Sequence, residues 1–352
     1  MVEIQASVPL TASNERIVSR FPVSAGQTET FVLTWQPSHQ AVTHAIDPRQ
    51  SLADTGAWWR EWASRCTYAG PWKEAVLRSL ITLKALTYTP TGGIVAAPTT
   101  SLPESLGGAR NWDYRYCWLR DATFTLYALI MAGYTEEAKQ WSAWLLRAVA
   151  GEPKQMQTLY GVAGERRLEE ITLDGLSGYA GSRPVRVGNA AYRQFQLDIY
   201  GELMDALHLA RRAGLEPHAA RWQLQRDLIA FVESAWEEPD EGIWEVRGPR
   251  RHFTFSKVMA WVAVDRALHA CERLNLEGAI EQWKVLRDRI HRDICEKGFD
   301  TRRGSFVQYY GGKGLDASLL LIPVVGFLPA SDPRVLGTCV FRTIVIADSG
   351  RL

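Results

Sequence analysis

The chain has 352 residues, enough for one large domain or two to three ordinary ones. An apolar fraction of 46%, a charged fraction of 22% and a formal net charge of +1 describe an ordinary globular protein and argue against a basic nucleic-acid-binding face. Five widely spaced cysteines without a C-x-x-C, and seven histidines without an H-E-x-x-H, favour reduced thiols over a disulfide framework or a zinc site.

The N-terminus, MVEIQASVPL, lacks the basic and long apolar regions of a signal peptide, and no apolar run approaches a membrane span. A cytoplasmic protein with no membrane partner is expected. Residues 17–23 and 28–35 alternate with period two around a Ser24–Gln27 turn, which predicts a hairpin or two adjacent strands. Residues 48–67 read as a linker that turns helical near Asp54 and carries Trp58, Trp59 and Trp62.

From there the pattern is helical. Helices are predicted over 71–87, 121–133, 135–149, 189–213, 217–236, 254–274 and 276–297, with a short apolar helix at 315–321 and a last start at Asp332-Pro333. Between them lie long loops rich in Gly, Arg and Glu. Helix, decorated loop, helix is the sign of an all-α toroid, whose loops can gather at one end to build a pocket. Gly311-Gly312-Lys313-Gly314 lacks the spacing of a phosphate loop and reads as a turn.

Three loops carry the chemistry. The run Asn111 to Asp121 sets Asp113, Arg115, Arg120 and Asp121 among Trp112, Tyr114, Tyr116 and Trp118. Flat rings beside ionised groups suit a sugar, with its apolar C–H faces and rim of hydroxyls; the same rings would also serve as packing at a helix entrance. Arg120 and Asp121 fit a clamp on vicinal hydroxyls, or an acid that merely favours a helix N-terminus beside its ion partner. Tyr179 to Asn189 places Arg183 and Arg186 on either side of Pro184. In Glu237 to Thr254, Glu245 follows Trp244 and a Gly242 turn. A carboxyl packed on an indole is partly desolvated and suited to general-acid work, unless it is only one more solvated member of an acidic loop.

These stretches resemble the glycoside hydrolases of family 15, in particular bacterial glucoamylase- and trehalase-like members. The resemblance rests on NWDYRYCWLRD at 111–121, GSRPVRVGN at 181–189, GIWEVRG at 242–248, SKVMAW at 256–261 and LDASLLL at 315–321, in the family's order across about residues 68–335. It implies an (α/α)6 toroid and inverting hydrolysis of an α-glucoside with release of glucose. It also implies Glu245 as general acid, Arg120 and Asp121 gripping the non-reducing sugar, Tyr114 as its platform and Trp118 supporting the acid. Arg183, Arg186, Arg247 and His252 are then expected around the outer subsite, and Trp244 among the substrate-binding residues. The mechanism requires no metal or organic cofactor, and the implied partner is the α-glucoside alone. The oligomeric state is left open.

The fold expected is thus all-α, an incomplete (α/α)6 toroid preceded by a remnant of an N-terminal β-sandwich. Residues 1–47 would be the remnant, 48–67 a helical linker and 68–352 the glucoamylase-like domain. Twelve helices are implied and the sequence reaches about the eighth, so the glutamate expected to act as base, between the last two helices, is missing. The β-branched run 339–347 also departs from the pattern. Such a toroid would expose apolar inner faces, so a marginally stable or inactive chain is expected. A non-catalytic carbohydrate-binding or regulatory remnant is the alternative.

Overall fold

The computed structural model describes residues 1–14, 16–39, 46–149, 151–214, 216 and 218–339. The β-branched run beyond Cys339 lies outside the described residues. The chain forms two compact units, Met1–Cys66 and the rest from Thr67 onward.

In the first unit, β1 (Val2–Ala6) pairs antiparallel with β4 (Phe31–Trp35), Val2 facing Trp35 and Ala6 facing Phe31. β2 (Thr11–Ser13) pairs with β3 (Arg16–Val18). This corrects the expected hairpin: the strand that carries Ile17 pairs backwards across Asn14, and residues 31–35 pair with the chain start. Each ladder has two strands, and Leu33 and Trp35 are exposed, so neither ribbon builds the buried layer of a sandwich. Helix α1 (Pro48–Ser64) starts six residues earlier than Asp54 because Asp47 accepts from the amides of Arg49 and Gln50 and Pro48 opens the first turn.

The second unit is built of helices: α2 (Lys73–Ala85), α3 (Leu119–Met131), α4 (Glu136–Ala148), α5 (Asp198–Arg212), α6 (Ala219–Ala235), α7 (Thr254–Leu274), α8 (Ile280–Lys297) and the short α9 (Pro333–Cys339). α5 packs between α3 and α7, while α4, α6 and α8 pack outside them. The sequence dictates this alternation. α7 buries residues on every side, from Phe255 through Cys271, as an inner helix must. α8 buries a single stripe, Trp283, Leu286, Ile290 and Ile294, and turns its charges outward. α4 likewise buries Ala138, Trp141, Leu145 and Ala148 on one face.

α5 and α7 meet at Gly201, where an added Cβ would stand 2.1 Å from the Met259 carbonyl oxygen. Only glycine permits that approach. α3 leaves Phe124, Tyr127 and Met131 exposed. The expected helix over 189–213 is divided: Ala190–Arg193 is a 3-10 turn capped by Asn189, and α5 begins only at Asp198. The predicted segment at 315–321 is likewise a 3-10 turn, Ala317–Leu321, capped by Asp316. No helix among the described residues is long and apolar enough to cross a membrane.

Candidate active site

The loops that join these helices converge on one cavity of about 590 Å³. That is the size of a small-ligand site. Its lining comes from the three loops singled out by sequence, from Glu104 and Arg110 ahead of the first, and from the segment before α5.

The 111–121 run enters as a short strand, Asn111–Asp113, paired with Thr100–Pro103. Asp113 is fully buried and takes no part in the cavity. It accepts from Arg115 Nε at 2.9 Å, from Arg115 NH2 at 2.8 Å and from the Gly188 amide at 3.1 Å. Burial opposes its charge, but the hydrogen bonds from Arg115 and Gly188 hold its carboxyl below the ordinary value. Asp113 and Arg115 therefore knot this loop to the strand at 186–187. Next, Cys117-Trp118 pairs with Leu159-Tyr160 and delivers Arg120 and Asp121 into the first turn of α3.

Glu245 stands across from that turn. Its Oε1 accepts from Trp118 Nε1 at 2.6 Å and lies 3.4 Å from Arg120 NH2. Its backbone is left-handed, φ 55°, a conformation that costs a non-glycine residue energy and recurs at functional sites. The turn is enforced from its neighbours. Gly242 packs against the Phe253 ring too closely for any side chain, and Glu241 and Asp240 accept from the amides of Phe195 and Leu197. Gln194 Nε2 donates to the Glu245 carbonyl. Asp240 and Glu241 thus staple backbone, Glu237 pairs with Arg289, and Glu245 alone among the loop's acids lines the cavity.

Arg120 is held in turn by the Ile243 carbonyl at 3.0 Å and by Asp121 at 3.4 Å. Burial raises the Asp121 carboxyl and Arg120 draws it partly back. Behind Arg120, Asp198 and Glu202 stack one turn apart on α5, both buried. Burial pushes Asp198 up to about 7, Arg120 opposing, and pushes Glu202 well above the usual carboxyl range. The Tyr114 ring sits 5.8 Å from that of Trp118, and burial raises its hydroxyl.

The indole that donates to Glu245 is Trp118, the ring the family resemblance names, and not the adjacent Trp244 that the local sequence alone suggests. Trp244 is 56% exposed, lines the cavity, and donates to Asp316 at 2.9 Å. Neighbours along a tight turn point apart, so the partner came from 127 residues away. Arg247 lines the cavity; Arg186 stands behind its wall, bonded to the Ala109 carbonyl. Arg183 and His252 lie elsewhere: Arg183 lines a separate hollow with Thr172 and Asp174, and His252 stacks on Tyr310 in another. Sequence reasoning missed Glu170, Gln194 and Asp316. Asp316 sits inside the 315–321 stretch already noted, and its value as an acceptor for Trp244 shows only in space.

The ring of helix hairpins and the carboxyl–indole–guanidinium cavity define a glycoside hydrolase-like protein. The chain belongs to the glycosyl hydrolases family 15, whose family profile matches residues 70–345. It is 39% identical over 337 residues to a trehalase of Thermoplasma volcanium, covering 96% of this chain and 54% of that protein. A trehalase of Mycobacterium tuberculosis is 42% identical, with 94% and 48% covered. The chain spans about half the length of these relatives. Among solved structures it resembles a wild-type glycosidase (TM-score 0.58, 18% identity, 75% of this chain and 67% of that one). It also resembles a glucoamylase from Saccharomycopsis fibuligera (TM-score 0.51, 14% identity, 71% and 55%). The fold is therefore helix-rich and of the (α/α)6 type.

Proposed function

We propose that the cavity binds the non-reducing glucose of an α-glucoside, trehalose foremost, and that Glu245 is the general acid of its inverting hydrolysis. The observation that carries this reading is the 2.6 Å hydrogen bond from Trp118 to Glu245 at the rim of a cavity that also holds Arg120 and Asp121. Trp118 aims the carboxyl, and Arg120 and Asp121 offer a donor fork and an acceptor for vicinal hydroxyls. Tyr114 gives the sugar a flat face. Trp244 and Arg247 border the space for the second sugar, Arg186 acts from behind that border, and Arg183 drops out of the set. Trehalose is preferred over maltose or isomaltose because the relatives of 39–44% identity are trehalases.

Inversion needs a second carboxylate, roughly 6.5–9.5 Å from the acid, to activate water. Among the described residues, the other carboxylates lining the cavity are Glu104 and Asp121, and each is engaged: Glu104 by Trp112 and Arg110, Asp121 by Arg120. That observation favours a second reading, sugar binding without hydrolysis. For the domains we propose a β-rich segment at residues 1–47, a helical linker at 48–67 and the glucoamylase-like domain at 68–352.

Proton NMR of trehalose, maltose and isomaltose incubated with the chain and with Glu245→Gln tests the first reading. The expected result is one β-glucose and one α-glucose released initially from each trehalose, the β-anomer from the attacked sugar and the α-anomer from the leaving one, with release abolished in the variant. Sugar binding without release of glucose would establish the second reading instead.

A further inference from the structure

Glu170 does not touch the cavity, yet it organises one of its walls. Its carboxylate is largely buried, with 17% of the side chain exposed. Oε2 accepts from Arg247 NH2 at 2.8 Å and from the Ala190 amide at 3.2 Å. Oε1 lies 3.4 Å from both Arg247 NH1 and Arg186 Nε. Both guanidiniums rest over the Trp112 ring, at 4.1 Å and 4.6 Å from its centre, and the Trp112 Nε1–H is taken by Glu104 at 3.1 Å. Burial opposes the charge of Glu170, but the hydrogen bonds from Arg247 and Ala190 hold its carboxyl below the ordinary value.

This arrangement changes what the wall can offer a ligand. Trp112 lines the cavity beside Glu245, but its ring is already occupied by cations, so it is not a bare stacking platform. What faces outward is Arg247, two residues beyond the proposed acid and half exposed. A guanidinium fixed by a carboxylate and an indole presents its remaining N–H groups in one direction and loses little freedom when a hydroxyl arrives. Untied, the same side chain would point into solvent.

We infer that Glu170 is a positioning residue for the second sugar: by fixing Arg247 on Trp112 it makes a donor wall that selects a hydroxyl-rich leaving group over a bare glucose. The inference rests on the reading of the cavity as a glucoside site. It assigns selectivity to a residue that never meets the substrate.

Calorimetric binding of glucose and of a non-hydrolysable S-linked trehalose analogue separates the two subsites. For Glu170→Gln the analogue should bind about tenfold more weakly, the loss of one charge-assisted hydrogen bond, while glucose binding holds. Arg247→Gln, an exposed change that leaves Glu170 in place, should give the same selective loss. Equal weakening of both ligands with a lowered Tm would show a mere brace, and an unchanged preference would show no role; either overturns the inference. A wild-type chain that binds glucose but does not prefer the analogue also overturns it. If the wild type binds neither ligand, the glucoside reading fails and takes this inference with it, a result distinct from a loss confined to the variants.

Discussion

Trp118 and Glu245 lie 127 residues apart, and the indole N–H of one meets the carboxylate of the other at 2.6 Å. The bond joins the strand that feeds α3 to the turn that precedes α7, so it both aims the proposed acid and records that the two loops have docked.

Trp118→Phe keeps an aromatic ring, deletes the donor and leaves a small hole, because Trp118 is buried. Glu245 is 22% exposed at its side chain and can turn to water, so the lost bond costs about 1 kcal/mol and the hole adds about 1 kcal/mol more. If the acid needs aiming, kcat for glucose release from trehalose should fall by about a hundredfold, the cost of losing one preorganised donor, with a smaller change in KM. Steady-state kinetics beside a urea titration measures both. Unchanged kcat would remove Trp118 from the mechanism.

Gly201→Ala addresses the seam of α5 and α7. The new methyl meets the Met259 carbonyl at 2.1 Å, and main chain on both sides must move. A destabilisation of about 3 kcal/mol is expected from urea unfolding, at the upper end of ordinary overpacking. A loss under 1 kcal/mol would mean that the helices slide apart easily.

Ile290→Ala tests the outer layer. Ile290 is fully buried in the stripe by which α8 packs on α7. The truncation should cost about 2–5 kcal/mol, depending on how far the hole collapses. Val285, exposed on the same helix, provides the control: Val285→Ala should be nearly silent.

Two buried acids set opposite pH trends. Asp198 rises to about 7 in the folded chain against about 3.9 unfolded. Its contribution to stability is therefore full below about pH 4 and is lost as pH climbs through about 7, because the folded chain keeps a proton that the unfolded chain releases. Asp113 is shifted down, so its contribution is present above about pH 4 and lost as pH falls through its folded value. Asp198→Asn should make the decline of Tm between about pH 4 and pH 7 shallower, leaving the share carried by the raised Glu202, without changing the acid limb. An equally steep decline in the variant would exclude Asp198 as its source.

Much of the helical architecture was legible because burial imposes it residue by residue. The bounds of α7 match the expected 254–274, since nearly every residue from Thr254 to Cys271 is buried and Asn275 closes the helix in a left-handed cap. The start of α5 was misplaced because Asn189 is a genuine cap, but of a 3-10 turn rather than of the long helix. The N-terminal strands were recognised as strands in part and paired wrongly, because register between short, exposed strands leaves little pattern to read. In the cavity, residue types were informative and partners were not. Glu245, Arg120 and Asp121 stand out in the sequence and the resemblance names Trp118, whereas local sequence alone points to Trp244, and any importance of Glu170 depends on loops meeting in space.

The stapling of Glu241 and Asp240 to the amides of Phe195 and Leu197 has a thermal consequence. The proposed acid hangs from the lead-in to α5, and the guanidinium it faces hangs from α3. Warming that loosens this lead-in would carry Glu245 away from Trp118 while the inner helices still hold together. Heat should then silence the cavity several degrees before it melts the protein.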